Sequence, residues 1–225
     1  MRVIQRSDGR GSLKWIQRAV NDRPAVLDNP ILKRLGSASA IKWVSPLASD
    51  DYAEYRDASF LRRVGAGELV MRLDEFWPRR GPQWDALARS DQGDILLVEA
   101  KANLPELNSR GTAAREASRR KIEASLAAAA GAMGCTQKTP WSSTYFQVAN
   151  RLAHLWFLRS HGLPAWLVLV NFVGDADVRG PNSAEEWEQA YRVAEAAMGL
   201  RAEHALSPYV IHLYPYVSEL ADAAA

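Results

Sequence analysis

Apolar positions along this chain follow two rhythms, and each predicts an element. Leu13, Ile16 and Val20 recur at helical spacing behind Ser12, which predicts a short amphipathic helix starting there. Ser49 or Asp50 can cap a helix across residues 49–65, with Tyr52, Tyr55, Leu61 and Val64 as its apolar stripe. Residues 68–77, ELVMRLDEFW, read as a strand ended by Pro78 and the turn Arg79-Arg80-Gly81-Pro82. Two more strands flank Asp91-Gln92-Gly93. Residues 112–134 are Ala-rich and helical, stopping at Gly131 or Gly134. Residues 142–162 predict another helix, with Phe146, Ala149, Leu152, Leu155 and Trp156 on its apolar side. The short, almost wholly apolar run 165–173 suits a strand buried on both faces. Ser183 and Glu186 form a capping-box pattern before a helix carrying Trp187, Tyr191, Ala194 and Met198. Residues 209–217 suit an edge strand, since Pro215 fits poorly in a central one.

That order predicts an α/β sandwich: a mixed central sheet flanked by helices. The 225 residues suffice for one substantial domain, 46–225, preceded by a basic N-terminal extension, 1–45, packed on or beside it. The extension carries nine Lys or Arg against three acids, Asp8, Asp22 and Asp28. A solvated face on a packed helix is a simpler reading of it than a phosphate-gripping arm. A composition 48% hydrophobic and 24% charged argues against extended disorder. The single cysteine, Cys135, excludes an intramolecular disulfide, and with four scattered histidines it makes no structural zinc site. No run approaches the roughly 18 apolar residues of a membrane span, so a cytosolic protein is expected. The net charge of +2 neither demands nor excludes nucleic acid, because a local basic patch can bind phosphate on a nearly neutral protein.

The chemistry concentrates in WDALARSDQGDILLVEAKAN, residues 84–103. A three-residue hairpin loop at Asp91-Gln92-Gly93 would use Gly93 in its left-handed position and pair Ser90 with Asp94. Paired positions then sum to 184, which sets Asp85 opposite Glu99, with side chains roughly 5 Å apart on one face; a two-residue loop at Gln92-Gly93 would instead set Asp85 against Ala100. Lys101 shares that face and Ala100 points to the other. Opposed carboxylates repel, so something must offset the cost. A hard divalent cation does so, and magnesium needs only one or two carboxylates beside its waters. The lysine could hold or deprotonate such a water, or stabilise charge on a phosphate.

Asp85 followed by Glu99-x-Lys101 resembles the PD-(D/E)XK nuclease superfamily, and the element order resembles its restriction endonuclease-like αβββαβ core. The resemblance covers about half the chain and leaves the N-terminal segment out. It implies Mg²⁺-dependent phosphodiester hydrolysis, with Mn²⁺ able to substitute, on nucleic acid, DNA ahead of RNA. Asp85 and Glu99 would be metal ligands, the Ala100 carbonyl would complete the metal site, and Lys101 would activate water. Many members add a carboxylate from the first core helix; Glu54 is the candidate catalytic residue here, with Asp57 and Glu68 as rivals. Trp84-Asp85 stands where the family has proline-aspartate. Of the Gln-x-x-x-Tyr pattern some members carry, Gln147 is present and Arg151 replaces the tyrosine.

Bland readings stand beside each feature. Glu-x-Lys at a strand end can be a weak surface ion pair. Gln147, Asn150, Arg151 and His154 share a helix face that either supports the site or faces water. Arg115, Arg119, Arg120 and Lys121 could line a nucleic-acid channel, yet Glu116 and Glu123 at helical spacing favour a salt-bridged surface. Trp77 and Trp84 are read as core before base-stacking platforms. The competing function is a non-catalytic nucleic-acid-binding or structural protein that retains the nuclease-like fold. A two-fold homodimer would let two sites cut two strands, though the sequence marks no interface.

Overall fold

The computed structural model describes residues 1–7, 9–109, 111–135 and 140–221; Asp8, counted above among the N-terminal acids, lies outside them. In chain order the elements are β1 (Arg2–Val3), α1 (Ser12–Asn21), α2 (Ala25–Leu35), β2 (Ile41–Ser45), β3 (Glu54–Tyr55), α3 (Ala58–Arg63) and α4 (Val70–Phe76). After them come β4 (Ala86–Ser90), β5 (Ile95–Lys101), α5 (Glu116–Ala132), α6 (Phe146–Ser160), β6 (Ala165–Asn171), α7 (Ala184–Met198) and β7 (Val210–Leu213). A five-stranded mixed sheet runs β2-β4-β5-β6-β7. The β2–β4–β5 ladder is antiparallel, and β5–β6–β7 is parallel.

The parity of β5 explains the layering. Leu96, Val98 and Ala100 face Trp15, Ile16, Val20, Leu27 and Ile31 of α1 and α2. Ile95 and Leu97 face the opposite core, built from α3 to α7 around Phe60, Leu126, Leu155, Phe157 and Trp187. Helices therefore cover both faces, which is why β5 and β6 read as apolar runs rather than alternating ones. Residues 1–45 contribute α1 and α2 to one layer and the edge strand β2 to the sheet itself.

The hairpin takes the expected register: Ala86 pairs with Val98, Leu87 with Leu97 and Arg89 with Ile95. Gly93 is left-handed (φ 92°) and its N–H donates to the Ser90 carbonyl at 3.1 Å. The Ser183 hydroxyl caps α7, and β7 is the expected edge.

Two elements differ from expectation. Of segment 49–65 only Ala58–Arg63 is α-helical, and a 3-10 turn at Ala48–Asp50 precedes it. Asp51, Tyr52 and Asp57 are left-handed, and Glu54–Tyr55 is extended and pairs with β1, an arrangement anchored by Arg2 on Asp50 and Asp51. Segment 68–77 holds helix α4 behind the 3-10 turn Gly67–Leu69, not a strand. Leu69, Leu73 and Trp77 are buried at a four-residue spacing, while Met71, which a strand would bury beside Leu69 and Leu73, is 76% exposed. The first strand of the sheet is consequently β2, preceded by α1 and α2.

Candidate active site

Glu99 and Lys101 end β5 on the face turned to α6, and both are buried. Charges so placed need partners. Glu99 Oε1 accepts from Lys101 Nζ at 2.9 Å, and its Oε2 is paired with the Arg151 guanidinium. The lysine donates a second bond to Gln147 Oε1 at 3.0 Å. Gln147 and Arg151 lie four residues apart on α6, so one helix face supplies both. Arg151 is fixed further by the Gln83 carbonyl at 2.8 Å, by Asn150 Oδ1 at 3.0 Å, and by stacking 4.8 Å over the Trp84 ring.

The β4–β5 ladder stops at Ala86–Val98, so Asp85 lies one residue beyond the last pair. Its Oδ2 accepts the Ala100 backbone N–H at 2.7 Å instead. Trp84 leaves the sheet to bridge Tyr55, the neighbour of Glu54. That crossing brings Glu54 in from a two-residue strand rather than from a core helix. Gln5 donates to its Oε2 at 3.0 Å, and Gln83 donates to the same oxygen. The rivals lie elsewhere: Asp57 accepts the Gly81 N–H at 2.8 Å, and Glu68 is exposed.

Electrostatics separates the three carboxylates. Burial and then the charges of Glu99 and Glu54 push Asp85 well above the ordinary carboxylate range. Burial pushes Glu54 up to about 7, against the bonds from Gln83 and Gln5, with Glu99 adding repulsion. Glu99 is buried too, yet Arg151 and Lys101 outweigh that burial and hold it below the ordinary value. Among the described residues, no three His, Cys, Asp or Glu side chains already converge as a metal cage. The geometry shows why: the Glu99 oxygens turn to two cations and Asp85 to a backbone amide. The donors nevertheless fit a hard divalent cation in kind. Asp85 and Glu54 make no ion pair with another described residue, and their raised values mark oxygens whose charged form lacks a sufficient partner, a role a cation would fill; magnesium requires no three-carboxylate cage.

An open cleft of about 790 Å³ lies over the cluster. Glu54, Asp85 and Glu99 line its floor, loop 78–83 one wall, and residues 111–115 with Ser118 another. Of the four cations considered near α5, Arg115 lines the cleft, Arg120 pairs with Glu116, and Lys121 donates to the Asp74 carbonyl. Trp77 and Trp84 are core residues, 4% and 0% exposed. His154 is buried against Phe60, Phe76, Trp77 and Trp84. Three N-terminal cations are tied to the protein itself: Arg2 pairs with Asp50 and Asp51, Arg18 reaches the Leu220 carbonyl and Arg34 the Pro208 carbonyl.

Sequence reasoning gave Arg151 no partner, although its four-residue offset from Gln147 is the signal that it faces β5. Gln5 and Gln83 left no signal, since loop glutamines have no period. No helix among the described residues is long and apolar enough to cross a membrane. Comparison with known proteins finds no family model, no curated protein and no solved structure that matches this chain.

Proposed function

We propose that this chain is a metal-dependent nuclease hydrolysing phosphodiester bonds, in DNA ahead of RNA, on a restriction endonuclease-like core. The observation that carries the reading is the cluster itself: Glu99 and Lys101 at the end of β5, Asp85 one residue before β4, and Glu54, with the three carboxylates lining an open cleft. With β3, α3 and α4 inserted between β2 and β4, the succession α1/α2, β2, β4, β5, α5/α6, β6 supports it, since helix, three antiparallel strands, helix and parallel strand is the order of that superfamily's core.

Asp85 and Glu99, with the Ala100 carbonyl, would hold Mg²⁺ or Mn²⁺, which when bound supplies Lewis acidity toward a phosphate oxygen and an acidified water. Lys101, held between Glu99 and Gln147 at the strand end, is placed to orient the attacking water and stabilise charge on the phosphate. Glu54, with a pKa of about 7, is placed to exchange a proton at neutral pH. Arg151 fixes the Glu99 carboxylate.

One observation favours the alternative, a nucleic-acid-binding protein without catalysis: both Glu99 oxygens are already engaged by cations. The test incubates the protein with supercoiled plasmid, single-stranded DNA, branched DNA and RNA in Mg²⁺, Mn²⁺ or EDTA. Glu99→Gln and Lys101→Ala variants run beside it. Metal-dependent cleavage lost in both variants is the expected result. A folded protein that cleaves nothing and binds no Mn²⁺ rejects the catalytic reading in favour of the alternative.

A further inference from the structure

We propose that the cleft grips a single nucleic-acid strand in preference to an intact duplex; the inference rests on the nuclease reading above and names its substrate form. The reacting groups lie deep. Glu54 and Glu99, which line the cleft floor, are each 4% exposed, so a scissile phosphate must descend into the cleft to reach them. A duplex is a stiff rod on this scale and carries its phosphates on a convex surface. A single strand bends locally and can lower one phosphate while its neighbours stay at the rim.

The rim supplies both contacts that sequence-independent single-strand binding uses, cations along the backbone and a flat aromatic face for a base. Arg79 and Arg80 stand on one wall and Arg115 on the other, all exposed. None of the three side chains makes an ion pair or hydrogen bond with another described residue. The wall bearing the pair is held in place: Arg80 is left-handed (φ 67°), and Asp57 accepts the next N–H at 2.8 Å. Phe146, partly exposed, lines the cleft and stacks on Trp77 with ring centroids 6.3 Å apart and planes 20° from parallel. Trp77 braces the ring, and its exposed part offers a platform for one base.

The test is fluorescence anisotropy in EDTA, so that nothing is cut. It compares a labelled oligothymidine of about 12 nucleotides, within the range of single-strand site sizes, with a hairpin duplex of matched length. The single strand should bind about tenfold tighter or more. The Arg79→Ala/Arg80→Ala double variant, Arg115→Ala and Phe146→Leu should each weaken single-strand binding. Each phosphate contact removed should flatten the salt dependence by about 0.7 in logarithmic slope. Lys33→Ala, on α2 across the sheet, should change nothing. Duplex binding as tight as single-strand binding, no binding of either probe, or arginine variants that bind like the parent would each overturn the inference. Adding Mg²⁺ separates the two claims. Tight, arginine-dependent single-strand binding without cleavage upholds the grip and overturns the nuclease reading, whereas cleavage of a tightly bound duplex does the reverse.

Discussion

Replacing Arg151 with methionine should destabilise the chain without abolishing folding. The Arg151 and Glu99 side chains are 6% and 5% exposed, so their ion pair is barely screened by water. Removing one partner of such a pair costs about 3–5 kcal/mol, because the other charge stays buried. Lys101 still neutralises Glu99 in the variant, and the methionine stem still packs on Trp84, which favours the lower end, about 3 kcal/mol. With a urea slope of about 2–3 kcal/mol/M, the unfolding midpoint at pH 7 should fall by about 1 M. A cycle with Glu99→Gln isolates the pair: the double variant should lose about 2 kcal/mol less than the sum of the single losses. A loss below about 1 kcal/mol, or strictly additive losses, would refute the claim that the pair governs the cluster. Mn²⁺ should bind Arg151→Met more tightly than the parent, because a cation competing for Glu99 is gone.

Other features give sharp outcomes. Burial lowers the His154 pKa to about 3, outweighing the bond to the Asn150 carbonyl, with Arg151 adding repulsion. The folded state thus resists a proton that the unfolded chain accepts near 6.5. Stability is lost as pH falls from about 6.5 toward 3, by at most about 5 kcal/mol. Between pH 7 and pH 4, stability should fall less, or rise more, for His154→Leu than for the parent. The comparison isolates this histidine from Glu54 and Asp85, whose raised values act with the opposite sign; parallel curves would show that the histidine does not couple to folding. In the hairpin, Gly93→Ala should cost about 1–2 kcal/mol, since φ is 92° there. Thermal denaturation unchanged from the parent would show that the turn relaxes without strain.

The legible parts of the sequence were those with an unambiguous period or a forced turn. The run Ile95–Val98 is apolar, and the Gly93 turn fixes its register, so the facing of Glu99, Ala100 and Lys101 followed from counting. Segment 49–77 was misread for a physical reason. Its apolar residues fit a stripe of either period, while the interactions that decide its shape are long-range: Arg2 to Asp50 and Asp51, and Trp84 to Tyr55. Glu54 was marked as a carboxylate of the site, but its route, an extended pair with the N-terminal strand, is a tertiary contact that local propensity does not encode. Arg151 is a similar case, a cation on a mostly buried helix whose partner lies 52 residues away.

The cluster also carries a cost that the fold does not relieve internally. Glu99 is neutralised by two cations, whereas burial and the neighbouring carboxylates leave Asp85 strained in its charged form. A carboxylate whose folded pKa lies above its unfolded value opposes folding at every pH above that unfolded value, and the penalty grows until the folded pKa is passed. Asp85→Asn keeps an oxygen for the Ala100 N–H and removes the charge, so in EDTA it should be more stable than the parent. Each unit of pKa displacement corresponds to about 1.4 kcal/mol, which sets the scale of the gain. The gain should be larger at pH 8 than at pH 5, and Mg²⁺ should narrow it, because a cation bound to the parent offsets the same repulsion. Saturating Mg²⁺ should also release protons from the parent and fewer from the variant, a quantity calorimetry in buffers of different ionisation enthalpy reads directly. A variant less stable than the parent at pH 8 would show that Asp85 serves the fold through its hydrogen bond, and that the site holds no charge in reserve for a cation.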